Sequence, residues 1–383
     1  MEGLMMSYPL TLEHLFERAG RYFPSREIVW RRPDKSIARS TYAEFHARVQ
    51  KLANALKRLG LEPGQRVATL AWNHGRHLEA YFAVPLAGGV LHTVNPRLSP
   101  ADLAYIVNDA DDQMILVDDV LVPVWERFRD ECRVRHAIVW TNGADAPPGM
   151  IEYESLIAPE LPSFAIPRLE ENQAAGLCYT SGTTGRPKGV LYSHRALVLH
   201  SLVIGLPDAL DLSQADAVMP VVPMFHVNAW GLPFACAMLG AKQVFPGPHL
   251  DPASLLDLVQ RERVTITGGV PTVWLAILDA LDKNPKGWDI SSLKTLIVGG
   301  SAAPQAMIEA FEKRHGLHIL HAWGMTEMTP VGTVSRLKAH LAGAPEAERF
   351  RMRASQGLAV PLVDVRVLAD DGTQVPSDGK TMG

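Results

Sequence analysis

Cysteine is scarce here: the 383-residue chain has three. Cys132, Cys178 and Cys236 are odd in number and far apart, with no Cys-x-x-Cys pair and no Cys/His metal spacing. A disulfide framework and a zinc site are therefore not expected. A surplus of one charge is also missing. The formal net charge is −4, which gives no reason to expect nucleic acid binding. Long apolar runs are absent. Val218 to Val227 is among the longest, and it is too short and too broken by proline to cross a bilayer, so no transmembrane segment is expected. The start has no basic stretch ahead of an apolar core and is interrupted by Glu13, Glu17 and Arg18, so no secretory leader is expected. These absences together read as a cytoplasmic protein. Repeats and coiled-coil heptads are lacking too.

What is present is a globular composition, 47% hydrophobic and 20% charged, with length for two or three domains or subdomains. β-like runs alternate with amphipathic helical patterns, which predicts layered α/β architecture. Thr41 to Leu59 reads as a helix capped by Thr41. Val67 to Trp72 reads as a strand and His77 to Val84 as a helix closed by Pro85 and Gly88-Gly89. Ile115 to Val117 is a strand. From Gly143 to Pro167 five prolines and weak periodicity predict a surface excursion near a lobe boundary. Asp251-Pro252 starts a helix, because Asp accepts from the free N–H groups and Pro tolerates the first position. Thr265 to Thr267, Leu293 to Val298 and Leu317 to Trp323 read as strands, and Gln305 to Arg314 as a helix. Near the end, Val363 to Leu368 alternates like a strand before the turn Asp371-Gly372, suggesting a small antiparallel or barrel-like lobe.

The most informative stretch is Tyr179-Thr180-Ser181-Gly182-Thr183-Thr184-Gly185-Arg186-Pro187-Lys188-Gly189-Val190. Glycines let backbone N–H groups converge, hydroxyls donate to oxygens and a lysine offsets charge, so the loop can wrap a polyphosphate. It is not a Walker A loop, which needs four residues between its glycines and then Gly-Lys-Ser/Thr. On composition alone a Ser/Thr/Gly turn between strands fits as well. Three further segments carry candidate chemistry. In His321-Ala322-Trp323-Gly324-Met325-Thr326-Glu327 the carboxylate could ligate a hard cation, or be a solvated strand-end acid. Gly299-Gly300-Ser301-Ala302-Ala303-Pro304 lets a flat ring approach, or is a tight turn. In Pro223-Met224-Phe225-His226-Val227-Asn228-Ala229-Trp230, both His226 and Trp230 could equally be packing residues.

Residues 179 to 190 closely resemble the phosphate-binding signature of the adenylate-forming superfamily, which includes acyl-CoA synthetases, luciferases and peptide-synthetase adenylation domains. The segment 321–327 is similar to its aromatic-Gly-x-Thr-Glu motif, with Trp323 where many relatives have Tyr. Arg76 to Val84, Leu91 to Leu98, Tyr192 to Ser201 and the Asn-Ala-Trp of the acyl loop resemble the fatty-acyl-CoA ligase branch. The resemblance spans essentially the whole chain. It implies two layered α/β subdomains, about 1–165 and 166–350, the second carrying the ATP and acyl motifs, then the start of a small β-barrel-like subdomain over 351–383. It implies ATP and Mg2+ as cofactors and coenzyme A as co-substrate, with a medium- or long-chain fatty acid joined through an acyl-adenylate. Thr180, Ser181, Gly182, Thr183, Thr184, Gly185 and Lys188 would hold the phosphates. Gly300, His321, Ala322, Trp323, Thr326 and Glu327 would bind the nucleotide, and Thr180 and Glu327 the magnesium. His226, Val227, Trp230, Gly299 and Gly300 would line the acyl site, Trp230 as a gate. Lys188, His226, Thr326 and Glu327 would act in catalysis.

Short-chain, methylthio- or aryl acids, a luciferase-type oxidase and a non-catalytic acyl- or nucleotide-binding module remain alternatives. Whether the chain pairs as a homodimer stays open. The superfamily pattern also continues past Gly383, with a ribose-binding Thr-Gly-Asp, a hinge and a catalytic lysine. The expectation is an N-terminal fragment without the C-terminal domain, nearly inactive in thioester formation by itself.

Overall fold

The computed structural model describes residues 3–180, 185–376, 378, 381 and 382. In chain order the strands are β1 (Glu27–Arg31), β2 (Ile37–Thr41), β3 (Arg66–Leu70), β4 (Val90–Thr93), β5 (Asp112–Asp118), β6 (His136–Trp140), β7 (Ile151–Glu152), β8 (Ala174–Tyr179), β9 (Gly189–Ser193), β10 (Ala217–Pro220), β11 (Lys242–Phe245), β12 (Ile266–Gly269), β13 (Thr295–Val298), β14 (His318–Gly324), β15 (Val331–Val334) and β16 (Leu358–Ala359). Among the described residues they form a seven-stranded sheet, β7-β6-β5-β3-β4-β8-β9, and a nine-stranded sheet, β16-β15-β14-β13-β12-β10-β11-β1-β2. The central pairs are parallel. Strands such as β4 and β13 are buried on both faces, as expected of parallel strands covered by helices on both sides.

Two of the layers are outer ones. Leu103, Ile106, Trp125 and Phe128 pack on Ala68, Ile115 and Val117 of the smaller sheet. Leu255, Trp274 and Phe311 pack on Val29, Val244 and Leu296 of the larger. A third layer joins them: helices Gly75–Leu86 and Leu232–Leu239 meet through Phe82 and Phe234, whose ring centroids lie 5.4 Å apart, edge to face. The local start signals hold. Helix Tyr42–Arg58 opens with a capping box between Thr41 and Glu44, and Asp251 accepts from Ser254 N at 3.0 Å ahead of helix Pro252–Glu262.

Four placements differ from the sequence reading. The β8–β9 hairpin, expected to open the second lobe, pairs with β4 of the seven-stranded sheet, Leu91 opposite Gly176. Conversely β1 crosses to the nine-stranded sheet, Ile28 opposite Gln243. Sheet membership is decided by pairing between distant strands, which leaves no local mark. Residues 143–167 are not all surface: Tyr153, Leu156 and Ile157 are buried, and the Tyr153 hydroxyl donates to Glu79. The expected strand at Val363 to Leu368 reduces to an isolated bridge, Leu368 with Gln374, around the Asp371-Gly372 turn. Val365 and Val367 are exposed there.

Candidate active site

Strands β10, β12, β13 and β14 run parallel and stop at one edge. In open α/β sheets ligands bind in the crevice beyond such carboxyl ends. Here that crevice is a cavity of about 290 Å3, lined by Thr180, His226, Val227, Trp230, Gly299, Gly300, Ala322, Trp323, Thr326 and Glu327 among others. Four segments singled out in the sequence therefore converge on one space. Ser181, Gly182, Thr183 and Thr184 lie outside the described residues. Gly185 and Lys188 are exposed on the ascending arm of the hairpin, where Thr180 N donates to Lys188 O at 2.9 Å.

The glycines are required by close approach. A Cβ on Gly299 would sit 3.1 Å from Ala322 O and 3.2 Å from the Trp230 ring, and Gly300 has φ 80°. Gly324 lets the β14 bulge cross Pro330, whose carbonyl oxygen would be 2.2 Å from a Cβ. Trp323 stands half-buried in the wall. Glu327 is exposed on the one-turn helix Thr326–Met328, and among the described residues its carboxylate is in no ion pair. His321 does not line the cavity. It is buried behind Ala322, its Nδ1 on Ser355 O at 2.9 Å and its Nε2 facing Ala303 N at 3.4 Å, and burial lowers its pKa.

The acyl loop is the strained part. Val227, Asn228, Ala229, Trp230 and Gly231 have φ of 47°, 53°, 49°, 56° and 72°. Four of the five carry a Cβ, and left-handed backbone costs such residues roughly 1–2 kcal/mol each. Strain of this kind persists only where the surroundings over-determine it. The anchors are buried and come from both lobes. Asn73 Oδ1 accepts from Met224 N at 2.7 Å while its Nδ2 donates to Pro220 O and Val222 O at 2.9 and 3.0 Å. The Tyr81 hydroxyl donates to Met224 O. Cys178 Sγ faces Asn228 Oδ1 at 3.7 Å. Under Gly231 lies His200, whose Nδ1 would be 2.5 Å from an added Cβ. Burial brings the His200 pKa down to about 4, so the ring is neutral, and its Nε2 faces Val331 N at 3.4 Å.

The turn ends with Trp230 buried against Gly268 and Gly299, at the inner side of the cavity. His226, at the turn's start, opens to solvent, yet its surroundings partly desolvate it and Arg97 adds positive charge nearby. Both lower its pKa, desolvation more. Arg97 itself lies over the Trp72 and Phe225 rings, 5.4 and 5.6 Å from their centroids.

Asn73, Tyr81, Arg97, Tyr192 and His200 are the site residues that motif reading did not assign. The signal was present for four of them: Tyr81, Arg97, Tyr192 and His200 fall in stretches already similar to the fatty-acyl branch. Asn73 had no such signal.

A family profile described as AMP-binding enzyme matches residues 16–383. The chain is 49% identical over 380 residues to the long-chain-fatty-acid–CoA ligase of Thermus thermophilus, covering 99% of this chain and 69% of that protein. It is 45% identical to the medium-chain-fatty-acid–CoA ligase of Ectopseudomonas oleovorans, covering 100% and 71%. Its fold is similar to that of the anthranilate CoA ligase AuaEII in complex with anthranoyl-AMP, with TM-score 0.86 at 24% identity over 98% of this chain and 69% of that one.

Proposed function

The chain belongs to the AMP-binding enzyme family, and from that premise we propose that it is an ATP-dependent fatty acid–CoA ligase, an acid–thiol ligase that forms AMP. The observation that carries this reading is the convergence of the acyl loop, Gly299-Gly300 and Ala322 to Glu327 on one cavity, in a chain 45–49% identical to fatty-acid–CoA ligases.

In the first half-reaction a carboxylate oxygen of the acid attacks the α-phosphorus of ATP, and pyrophosphate leaves. In the second, the thiol sulfur of coenzyme A attacks the acyl carbon and AMP leaves. The chain's contribution is to hold the reactants in line and neutralise charge. The Thr/Gly loop, Thr180 to Lys188, cradles the phosphates. Trp323 offers a face to adenine beside Gly300 and Ala322, with His321 holding that segment from behind. His226, whose partial desolvation favours the neutral ring, offers a ring nitrogen at the cavity mouth to the acyl carboxylate. Trp230 closes the apolar end.

The donor set fits magnesium: Thr180 and Glu327 supply oxygens to the same cavity, and the Glu327 carboxylate is uncommitted among the described residues. The ion, when bound there, would offset phosphate charge. No helix among the described residues is long and apolar enough to cross a membrane.

A second reading, a ligase for a shorter acid, is favoured by the burial of Trp230, which leaves about 290 Å3 for nucleotide and acid together. ATP–pyrophosphate exchange against a ladder of acids tests both. Exchange peaking at medium or long chains supports the first reading, and a peak at short acids supports the second. Exchange with no acid overturns the enzyme assignment in favour of a binding module.

A further inference from the structure

The turn that presents Glu327 is poorly tied down for a metal-binding element. Residues Thr326–Met328 form a single 3-10 turn. Within it, Met328 N donates to Met325 O at 3.0 Å. Among the described residues just one side chain from elsewhere hydrogen-bonds to this turn: the Tyr192 hydroxyl donates to Thr326 O at 2.7 Å.

Tyr192 stands on β9, the strand that leaves the Thr/Gly loop. It pairs across to Gly176 on the strand that enters the loop. Its ring is 2% exposed. It lies over Gly176, where an added Cβ would be 3.6 Å from the ring and 3.8 Å from Asn228 Nδ2. One side chain thus spans from the β8–β9 hairpin to the Glu327 turn. Burial, first among several causes, raises its pKa, so the hydroxyl keeps its proton and stays a donor throughout the neutral range. The same chain segment makes a second contact farther on, His200 Nε2 facing Val331 N just past the turn.

We propose that Tyr192 is a positioning residue that holds the Thr326-Glu327 turn in fixed relation to the β8–β9 hairpin, so that the two oxygen donors offered to the metal, Thr180 and Glu327, keep their spacing. The geometry stands by itself; its consequence for turnover rests on the ligase reading. Tyr192 is not part of the cavity lining. It acts through the carbonyl of Thr326, and its loss leaves packing intact when only the oxygen is removed.

Tyr192→Phe on the full chain is the test, read in two ways. Amide hydrogen exchange over residues 326–331 should speed up about tenfold in the variant, since one tether worth a typical net hydrogen bond is lost. In ATP–pyrophosphate exchange the KM for magnesium-ATP should rise about three- to tenfold, while the KM for the acid stays within about twofold and extra Mg2+ recovers most of the rate. Unchanged hydrogen exchange over 326–331 overturns the proposal. So does an equal rise in both KM values together with a lowered unfolding midpoint, since that is the mark of packing alone. If the unaltered chain turns over no acid, the ligase reading fails. The hydrogen-exchange comparison needs no turnover and still decides the tether.

Discussion

The two loops that frame the cavity are built on opposite plans. The acyl loop, Pro223 to Gly231, is mostly buried and left-handed for five residues, and side chains from both lobes fix it. The described part of the Thr/Gly loop is exposed at Gly185, Arg186 and Lys188, and a Cβ on Gly185 would meet nothing within 4 Å. One loop has its partners inside the protein. The other leaves the Lys188 side chain open to solvent, although Arg186 lies over the Tyr105 ring at 4.9 Å and Thr180 N donates to Lys188 O. A shape-reading site needs the first plan, because a wall that yields cannot measure an acyl chain. A phosphate clamp suits the second, because its donors satisfy each other poorly without the anion. Glu327 sides with the Thr/Gly loop: it is exposed and, among the described residues, in no ion pair.

The contrast is open to attack at several points. Glu327→Ala should cost on the order of 2–4 kcal/mol of activation free energy in ATP–pyrophosphate exchange, by analogy with losing one preorganised electrostatic group. Its unfolding free energy should stay within about 0.5 kcal/mol of the parent, as for other surface changes. A large stability loss would move Glu327 to the structural side of the comparison. Gly231→Ala should do the reverse. It adds a Cβ at φ 72° against His200, and denaturant titration should show a loss of about 2–3 kcal/mol. A smaller effect would mean that the left-handed turn is loosely held.

Acid should weaken the anchored loop through His200. The folded pKa of about 4 lies below the unfolded value of 6.5, so between these limits the unfolded chain binds the extra proton. The stability from keeping His200 neutral is therefore complete above pH 6.5 and is lost as pH falls toward 4. That one residue contributes a slope of at most about 1.4 kcal/mol per pH unit. His200→Gln should flatten the measured pH–stability profile by up to that amount in this window; an unaltered slope would mean that His200 is not desolvated. The smallest expected effect is graded. Trp230→Ala should move the optimum of the acid ladder toward longer chains, with each methylene newly accommodated worth about 0.8 kcal/mol in kcat/KM. The KM for ATP should hardly change. An unmoved optimum would leave Trp230 a packing residue.

Much of this was legible in the residues. Helix starts at Thr41 and Asp251 were readable because a cap is a local device, written within four residues. The cavity's members were readable because they fall in short stretches, 179–190 and 321–327 among them, that resemble a known superfamily's motifs. The left-handed turn was not. Val-Asn-Ala-Trp contains no glycine, and Val disfavours positive φ by itself, so only tertiary anchors such as Asn73 and Tyr81 impose the conformation. His321 shows the converse. It sits in a motif whose neighbours line the cavity, but alternation puts its side chain on the face opposite Ala322, where Ser355 O and Ala303 N engage the ring. The roles of Tyr192 and Asn73 depend on backbone carbonyls brought close by the fold, and no sequence pattern names a carbonyl.

The crossing of β1 and β2 into the larger sheet bears on how the chain acquires its structure. All seven strands of the smaller sheet come from one uninterrupted stretch, Arg66 to Ser193, and can close as soon as that stretch exists. The hairpin of β1 and β2 precedes it, but its partner β11 begins only at Lys242. On a ribosome working from the N-terminus, this hairpin must wait with its β1 edge unpaired while the neighbouring sheet assembles. Unpaired edges in a slow, non-local topology are where chains associate wrongly. The edge that waits is apolar, with Ile28 and Val29 among its residues, so the yield of folded protein depends on how quickly the second half of the chain arrives to cover it.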